Sequence, residues 1–374
     1  MLNGKNIVFA AGGTGGHINP ALAVAGEIRK RYPGANILFI GTAEKMEARL
    51  VPAAGFDFKT IQISGFNRVL NLNGIKQNIK TLSYLLKSSS QAKKIIKEFN
   101  ADAVIGFGGY VSGPVVRAAA KLGIPTAVHE QNAFPGMTNK TLAKMVDAVM
   151  LTEESVAQYM QPKNPPVVTG LPVRGELLET DRDIARAELG LDDKPFILSM
   201  GGSLGAKAIN DSMLEVIASR SQKNDCVFMH ATGKDCKDFP ERLAEKGIDL
   251  NNKNIIIRDY IDDMHRCLAA ADLVICRAGA SSLCEFQVMG KPSILIPYPF
   301  ATENHQYHNA KALADKGAAI LIEEKNLTPA VLMQHIDTLL ESPGKLTQMG
   351  KAAKQMAVTD ATSRIVKVIE GIIK

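Results

Sequence analysis

Tryptophan is absent from this 374-residue chain, and aromatic residues make up only 5% of it. A surface that stacks nucleic-acid bases is disfavoured by that shortage. The formal net charge is +6, yet no basic run resembles a nucleic-acid tail, so no nucleic-acid partner is expected. Cysteine is sparse. Cys226, Cys236, Cys267, Cys276 and Cys284 form no CxxC and no zinc spacing. An odd, widely spaced set excludes a disulfide framework and reads as reduced thiols in a cytosolic protein. Long apolar runs are also missing. Asn6–Gly26 carries no formal charge, but its apolar part is only Ile7–Ala11 before Gly12, Gly13, Gly15, Gly16, His17, Asn19 and Pro20 interrupt it. A membrane span needs about 20 apolar residues. The segment is therefore read as neither signal peptide nor anchor.

Three familiar fingerprints fail as well. A GxGxxG begun at Gly13 meets Ile18 where its last glycine belongs, and Gly41-Thr42 stands where an acid should close the second strand. The P-loop pattern fails because Lys207 follows Ala206 and precedes Ala208. HExxH fails because His129-Glu130 is followed by Gln131, Asn132 and Ala133.

What remains is ordinary globular composition, 46% hydrophobic and 22% charged. The length suits two domains. The first 165 residues hold 19 basic and 10 acidic residues, and the rest hold 25 and 28, so the halves face different partners. Pro162, Pro165 and Pro166 stiffen Gln161–Leu171, where the halves are expected to join. The expected domains are residues 1–165 and 166–356, with a final helix at about 357–374 packing back on the first. Short continuous apolar runs alternate with helical patterns. The expected strands are Asn6–Ala11, Asn36–Ile40, Ala103–Phe107, Thr126–His129 and Ala148–Leu151. In the second half they are Phe196–Met200, Cys226–Ala231, Ile255–Arg258, Leu273–Cys276, Ser293–Pro297 and Ala319–Ile322. Helices are expected at Ala21–Arg31, Leu142–Val146, Ile209–Arg220, Asn309–Lys316 and Thr362–Ile372. Continuous apolar strands separated by helices predict α/β architecture, with parallel sheets covered on both faces.

Three strands end in glycine turns: GGTGGHINP after Ala11, GGYVSGP after Phe107 and GGSLGA after Met200. A glycine turn entering a helix gathers bare backbone N–H groups and the positive helix end at one point, which suits a phosphate. In the first, Asn19 is expected to cap the helix, with Pro20 in its first turn. His17 lies in the same loop, where an imidazole can act as general base. Asn132, after another strand, can bond a sugar hydroxyl or simply make a turn. Asp181-Arg182-Asp183 looks like a metal-binding DxD, but acids capping a helix start are the stronger reading. Gly279-Ala280-Ser281-Ser282 reads as a fourth strand-to-helix turn. Glu285 then lies where a carboxylate can accept both ribose hydroxyls. Glu303, Asn304, His305, Gln306 and Asn309 form a polar cluster suited to a carbohydrate. No metal-ligand cluster occurs in the sequence, so neither metal nor other cofactor is expected.

GGTGGH, FGGYVSGP, HEQN, GLPVR, GGSLGA, the Gly279–Glu285 turn and HQYHNA occur in order over nearly the whole chain. Together they resemble the MurG family of peptidoglycan N-acetylglucosaminyltransferases. The resemblance implies the GT-B fold, two Rossmann-like domains with parallel sheets facing a central cleft. It implies transfer of GlcNAc with inversion from UDP-GlcNAc to the muramoyl 4-hydroxyl of lipid I, the undecaprenyl-pyrophosphoryl-MurNAc-pentapeptide, giving lipid II. Glu285 would hold the ribose, and Ile261 would meet uracil through its backbone. Ser203 and the Gly201–Gly205 loop would bind phosphate, with Arg174 nearby. Ala280, Gln306 and Asn309 would bind GlcNAc, and Ser281, Ser282, Leu283 and Cys284 belong to the same helix start. Thr14, Gly15, Gly16 and Asn132 would approach the donor, and His17 would be the base. Leu204 stands where the family usually has Gln, and His305 where Gln often precedes a second Gln. Other cell-wall synthesis proteins are candidate partners. Another UDP-GlcNAc enzyme of the same fold, such as a 2-epimerase or a glycolipid transferase, is the nearest alternative. A non-catalytic scaffold is a more distant one.

Residues 65–97 contain Arg68, Lys76, Lys80, Lys87, Lys93, Lys94 and Lys97 and no acid. Ile75, Ile79, Leu82 and Leu86 follow helical spacing beside them. This segment is expected to attach the N-terminal domain to an anionic membrane surface, peripherally and on the cytoplasmic face.

Overall fold

The computed structural model describes residues 1–63 and 87–373. The chain forms two compact units, one of Met1–Val173 with Asp360–Lys374, the other of Arg174–Thr359.

In the first unit, described residues supply a seven-stranded parallel sheet. Its strands are β1 (Asn6–Ala10), β2 (Asn36–Gly41), β3 (Asp57–Thr60), β4 (Ala103–Gly106), β5 (Thr126–Glu130), β6 (Ala148–Leu151) and β7 (Val167–Val168). Their spatial order is β3-β2-β1-β4-β5-β6-β7. The helices are α1 (Gly15–Arg31), α2 (Glu47–Ala53), α3 (described over residues 87–98), α4 (Gly109–Lys121) and α5 (Met137–Ala143). Alternate residues of β1 enter different cores. Ile7 and Phe9 join Ile18, Val24 and Ile28 of α1 and Ile365, Val366 and Ile369 near the end of the chain. Val8 and Ala10 join Val111, Val115 and Val116 of α4. Burial on both faces explains why these strands read as unbroken apolar runs. Gln161–Leu171 contributes β7 to this sheet. Most of the expected membrane segment, residues 65–86, lies outside the described residues. Its described end, α3, buries Ala92 and Ile96 and exposes Lys87, Lys93, Lys94 and Lys97.

The second unit repeats the plan. Its strands are β8 (Phe196–Met200), β9 (Val227–Ala231), β10 (Ile255–Arg258), β11 (Leu273–Cys276), β12 (Ser293–Leu295) and β13 (Ala319–Leu321), in spatial order β10-β9-β8-β11-β12-β13. The helices are α6 (Glu176–Glu179), α7 (Arg182–Glu188), α8 (Lys207–Arg220), α9 (Phe239–Glu245), α10 (Met264–Ala270), α11 (Ala280–Met289), α12 (His305–Asp315), α13 (Pro329–Leu340) and α14 (Pro343–Gln355). Ile209, Met213 and Ile217 of α8 and Leu332, Ile336 and Leu339 of α13 cover one face of the sheet. The last helix, α15 (Ala361–Ile372), belongs to the first unit and contacts α1.

Both sheets reverse their winding once, between β1 and β4 and between β8 and β11. Open α/β sheets bind ligands outside the carboxyl ends of the strands at such a reversal. All four of those strands run into the glycine-containing turns singled out above.

All five expected helices start earlier than expected, α8 and α15 by one or two residues and three others by four or more. α1 starts at Gly15, not Ala21. Extended Thr14 (φ −135°) takes the N-cap position, so Asn19 and Pro20 lie in the second turn and Asn19 is no cap. α5 starts at Met137 rather than Leu142, and α12 at His305 rather than Asn309.

Candidate active site

In the first unit the site is built on Gly12–Gly16. Gly13 has φ +89°, a conformation suited to glycine. Its N–H donates to Glu47 Oε2 at 3.0 Å, and Glu47 Oε1 accepts from Thr42 N (3.1 Å) and Thr42 Oγ1 (2.6 Å). Glu47 is fully buried. Thr14 and Gly16 are exposed and Gly15 is half-buried at the start of α1, where the first amides of a helix have no intrahelical acceptor. His17 sits in that first turn, its Nδ1 3.2 Å from both the Gly12 carbonyl and Thr14 Oγ1. Since a carbonyl only accepts, the Gly12 contact requires a proton on Nδ1 and leaves the basic lone pair on Nε2. The ring lies where a Cβ on Gly108 would meet its Cδ2 at 2.7 Å, so the second glycine turn makes room for the first loop's histidine. Ser112 ties the turns together, its Oγ accepting from Gly108 N at 2.9 Å and lying 2.8 Å from the Ala10 carbonyl.

Asn132 follows β5 and is held by a buried acid. Glu130 Oε1 accepts from Asn132 N (3.0 Å) and Nδ2 (3.2 Å), and Oε2 accepts from Gly136 N (3.1 Å) and Asn139 Nδ2 (2.8 Å). Burial raises the Glu130 pKa, and these donors oppose the rise. Next to it, His129 is fully buried, stacked on Phe107, and bonded through Nε2 to the Gly170 carbonyl at 2.8 Å. Burial lowers its pKa to about 4, so it is a neutral core histidine.

In the second unit, Gly201–Gly205 follows β8 and leads into α8. A Cβ on Gly205 would lie 2.1 Å from the Thr232 carbonyl, and one on Gly233 2.1 Å from Gly205 N. Only glycines allow this backbone-on-backbone contact. Ser203 is exposed in the loop, and Leu204 is 65% exposed. Gly233 N donates to the Asp259 carbonyl at 3.1 Å, joining this loop to the segment after β10 that carries Ile261. Ile261 is buried, 3% exposed.

The turn after β11 starts α11. Ala280, Ser281 and Ser282 are half-buried, whereas Leu283 and Cys284 point into the core. Among the described residues nothing bonds the buried Ser281 Oγ. Glu285 grips Arg174 in a fork, Nε to Oε1 at 2.9 Å and Nη2 to Oε2 at 3.1 Å. Burial raises the Glu285 pKa and the Arg174 charge opposes it. Gln306 Oε1 accepts from Ala278 N (3.3 Å) and Tyr298 N (2.9 Å), while Asn309 Nδ2 donates to the Ala278 carbonyl (3.1 Å). The two amides thus clamp residue 278 from both sides, leaving the Gln306 amide N–H groups as its donors. Before α12, Glu303 and Asn304 have φ +50° and +53°, uncommon for non-glycine residues. His305 follows, its pKa lowered by burial.

Asp181 caps α7, accepting from Asp183 N (2.8 Å) and Ile184 N (3.1 Å), so Asp181-Arg182-Asp183 is a helix start. Among the described residues no three His, Cys, Asp or Glu side chains come together as a metal group. The acids Glu47 and Glu130, which shape both first-unit loops, are missed by sequence reasoning. Glu130 lay within HEQN, and Gly41 beside a buried acid was the faint signal for Glu47.

The profile described as the glycosyltransferase family 28 N-terminal domain matches residues 7–151, and that of the family 28 C-terminal domain matches residues 196–365. A UDP-N-acetylglucosamine–N-acetylmuramyl-(pentapeptide) pyrophosphoryl-undecaprenol N-acetylglucosamine transferase of Acetivibrio thermocellus is 45% identical over 98% of both chains. One of the same description from Desulforamulus reducens is 46% identical, again over 98% of each. Among solved structures, the MurG of Acinetobacter baumannii aligns with TM-score 0.79 at 33% identity, over 98% of this chain and 99% of that one.

Proposed function

The chain belongs to glycosyltransferase family 28, and from that premise we propose that it transfers GlcNAc from UDP-GlcNAc to the muramoyl 4-hydroxyl of lipid I, forming lipid II. The observation that carries this reading is identity of 45% over 98% of the chain to transferases of that description, combined with glycine turns at both sheet reversals.

In this reading the second unit takes the sugar nucleotide. Glu285 accepts the ribose hydroxyls while Arg174 holds its carboxylate in place. The Ile261 backbone meets uracil. Ser203, the Gly201–Gly205 amides and the α8 N-terminus take the diphosphate. The α11 start from Ala280 to Ser282, together with Gln306 and Asn309, takes the sugar, with Leu283 and Cys284 contributing backbone only. Leu204 offers no polar contact.

The first unit takes the acceptor. Thr14, Gly15 and Gly16 supply amides for its pyrophosphate, and Asn132 approaches the donor. His17 Nε2 removes the proton from the 4-hydroxyl as that oxygen attacks the anomeric carbon. The bond from that carbon to the UDP oxygen breaks on the opposite face, so the configuration inverts. The negative charge that develops on the leaving UDP falls on amides fixed before the reaction begins, which is where such stabilisation is most effective.

An acceptor with an undecaprenyl tail is met at a bilayer surface. Among the described residues no helix is long and apolar enough to cross a membrane. We assign the attachment to residues 65–97 and place it on the cytoplasmic face, with other cell-wall synthesis proteins as candidate partners. Release of UDP from UDP-GlcNAc that depends on added lipid I tests the activity. UDP release without lipid I, or conversion of UDP-GlcNAc to its 2-epimer, would overturn it.

A further inference from the structure

Glu47 belongs to none of the motifs that mark this family's site, yet it is fully buried beside the first glycine turn. The sequence gives up side chains to admit it. A Cβ on Gly12 would lie 2.6 Å from Glu47 Oε1, and one on Gly41 2.6 Å from Glu47 Cγ. Its two oxygens divide their work. Oε1 is held by Thr42 N and Oγ1, and Oε2 accepts from Gly13 N at 3.0 Å.

The Gly13 N–H and the Gly12 carbonyl belong to one peptide group. That group is planar and trans, so fixing its N–H fixes the opposite direction of its carbonyl. The Gly12 carbonyl is the acceptor 3.2 Å from His17 Nδ1. A further constraint acts on the same oxygen. A Cβ on Gly109 would lie 2.2 Å from it, so that glycine keeps the carbonyl's surroundings open.

We propose that Glu47 is a positioning residue for His17, acting through the Gly12–Gly13 peptide as a carboxylate–peptide–imidazole relay. The carboxylate orients the peptide and draws its N–H. Hydrogen bonds in such a chain polarise one another, which makes the carbonyl a better acceptor for Nδ1–H. The relay does what a carboxylate does when it bonds a catalytic imidazole directly, holding the tautomer whose other nitrogen is basic. It also decides a local competition. Thr14 Oγ1 is equally near Nδ1 and is able to donate to it in the other tautomer. A carbonyl locked toward Nδ1 excludes that arrangement.

The catalytic consequence rests on the reading of His17 as base; the tautomer does not. The full chain, labelled with ¹⁵N-histidine, is examined by NMR, and turnover is measured with UDP-GlcNAc and a lipid I analogue. Wild type is expected to show neutral His17 protonated on Nδ1. Glu47→Gln is expected to populate the Nε2–H form and to lower kcat about tenfold or more, with KM for UDP-GlcNAc within about twofold. Thr42→Val, which removes a donor from the other carboxylate oxygen, is expected to lower the melting temperature and leave the tautomer unchanged. An Nε2–H tautomer in wild type overturns the inference, and this measurement needs no variant to fold. So does a Glu47→Gln protein whose His17 ring and turnover both match wild type. A ring that responds while turnover does not refutes the base assignment and leaves the positioning role standing.

Discussion

Replacing Glu285 with Ala tests the proposed ribose contact against the observed hold on Arg174. The side chain is 15% exposed and holds Arg174 through two hydrogen bonds at 2.9 and 3.1 Å. Each carboxylate oxygen has a second acceptor position, so the fork leaves capacity for two ribose hydroxyls. Hydrogen bonds to a charged acceptor are worth about 1.5–3 kcal/mol. Loss of the ribose contacts then weakens UDP-GlcNAc binding roughly 10- to 150-fold. Releasing Arg174 opposes part of this, because a freed guanidinium can move to phosphate. The expected loss therefore lies toward the lower end of that range. Calorimetry with UDP-GlcNAc and its 2′-deoxyribose analogue gives the cycle that isolates the hydroxyl. Wild type is expected to discriminate between the two ligands, and Glu285→Ala to bind them alike. Arg174→Ala should keep the discrimination while weakening both. If wild type binds both ligands equally and Glu285→Ala weakens both by the same factor, Glu285 acts only by holding Arg174 and the ribose assignment is wrong.

His17→Ala is expected to lower turnover by about 10²- to 10⁴-fold, with UDP-GlcNAc affinity by calorimetry unchanged. Gly109→Ala places a methyl 2.2 Å from the Gly12 carbonyl at φ +76°, so it should lower both the melting temperature and turnover, whereas Gly26→Ala, with open space around it, should change neither. His129 and His230 are buried as neutral rings, with pKa values lowered by burial to about 4 and about 3. Their unfolded values lie near 6.5, so the unfolded chain takes up protons first as pH falls. The melting temperature is expected to drop between about pH 6.5 and 4, with up to about 1.4 kcal/mol lost per pH unit for each ring, and a flat profile there refutes their neutrality. Replacing Lys76, Lys80 and Lys87 with Glu should abolish low-salt sedimentation with anionic vesicles while a short-chain soluble acceptor is still used. Unchanged sedimentation rules that surface out.

The strands legible in the sequence are those buried on both faces. β6, β8 and β11 coincide with their apolar runs because no residue in them faces water enough to break the pattern, and the half-buried edge strand β10 coincides through its three isoleucines. β3 escaped because Asp57, Lys59 and Thr60 are exposed on an edge strand, so it carries little hydrophobic signal. β7 escaped because two paired valines are too short to show beside Pro165 and Pro166. The start of α1 was hidden by glycines and a proline, poor helix formers that a free anion-binding end tolerates. The glycine turns were readable because their chemistry is local. Glu47 and Glu130 were not. Glu47 holds an amide from a distant loop, Gly13, and Glu130 holds amides of the connection that follows it, Asn132 and Gly136, and no spacing rule joins a lone acid to such amides.

The return of α15 to the first unit has a consequence for how the molecule is born. Ile365, Val366 and Ile369 complete a core whose other members lie before Met150 or at it, and every residue of the second unit is translated between them. A ribosome thus delivers the second unit whole while the first still shows an open apolar face beneath α1. A chain halted at Thr359 carries a finished second unit and an unsealed first unit. During synthesis that face stays open until α15 arrives to cover it.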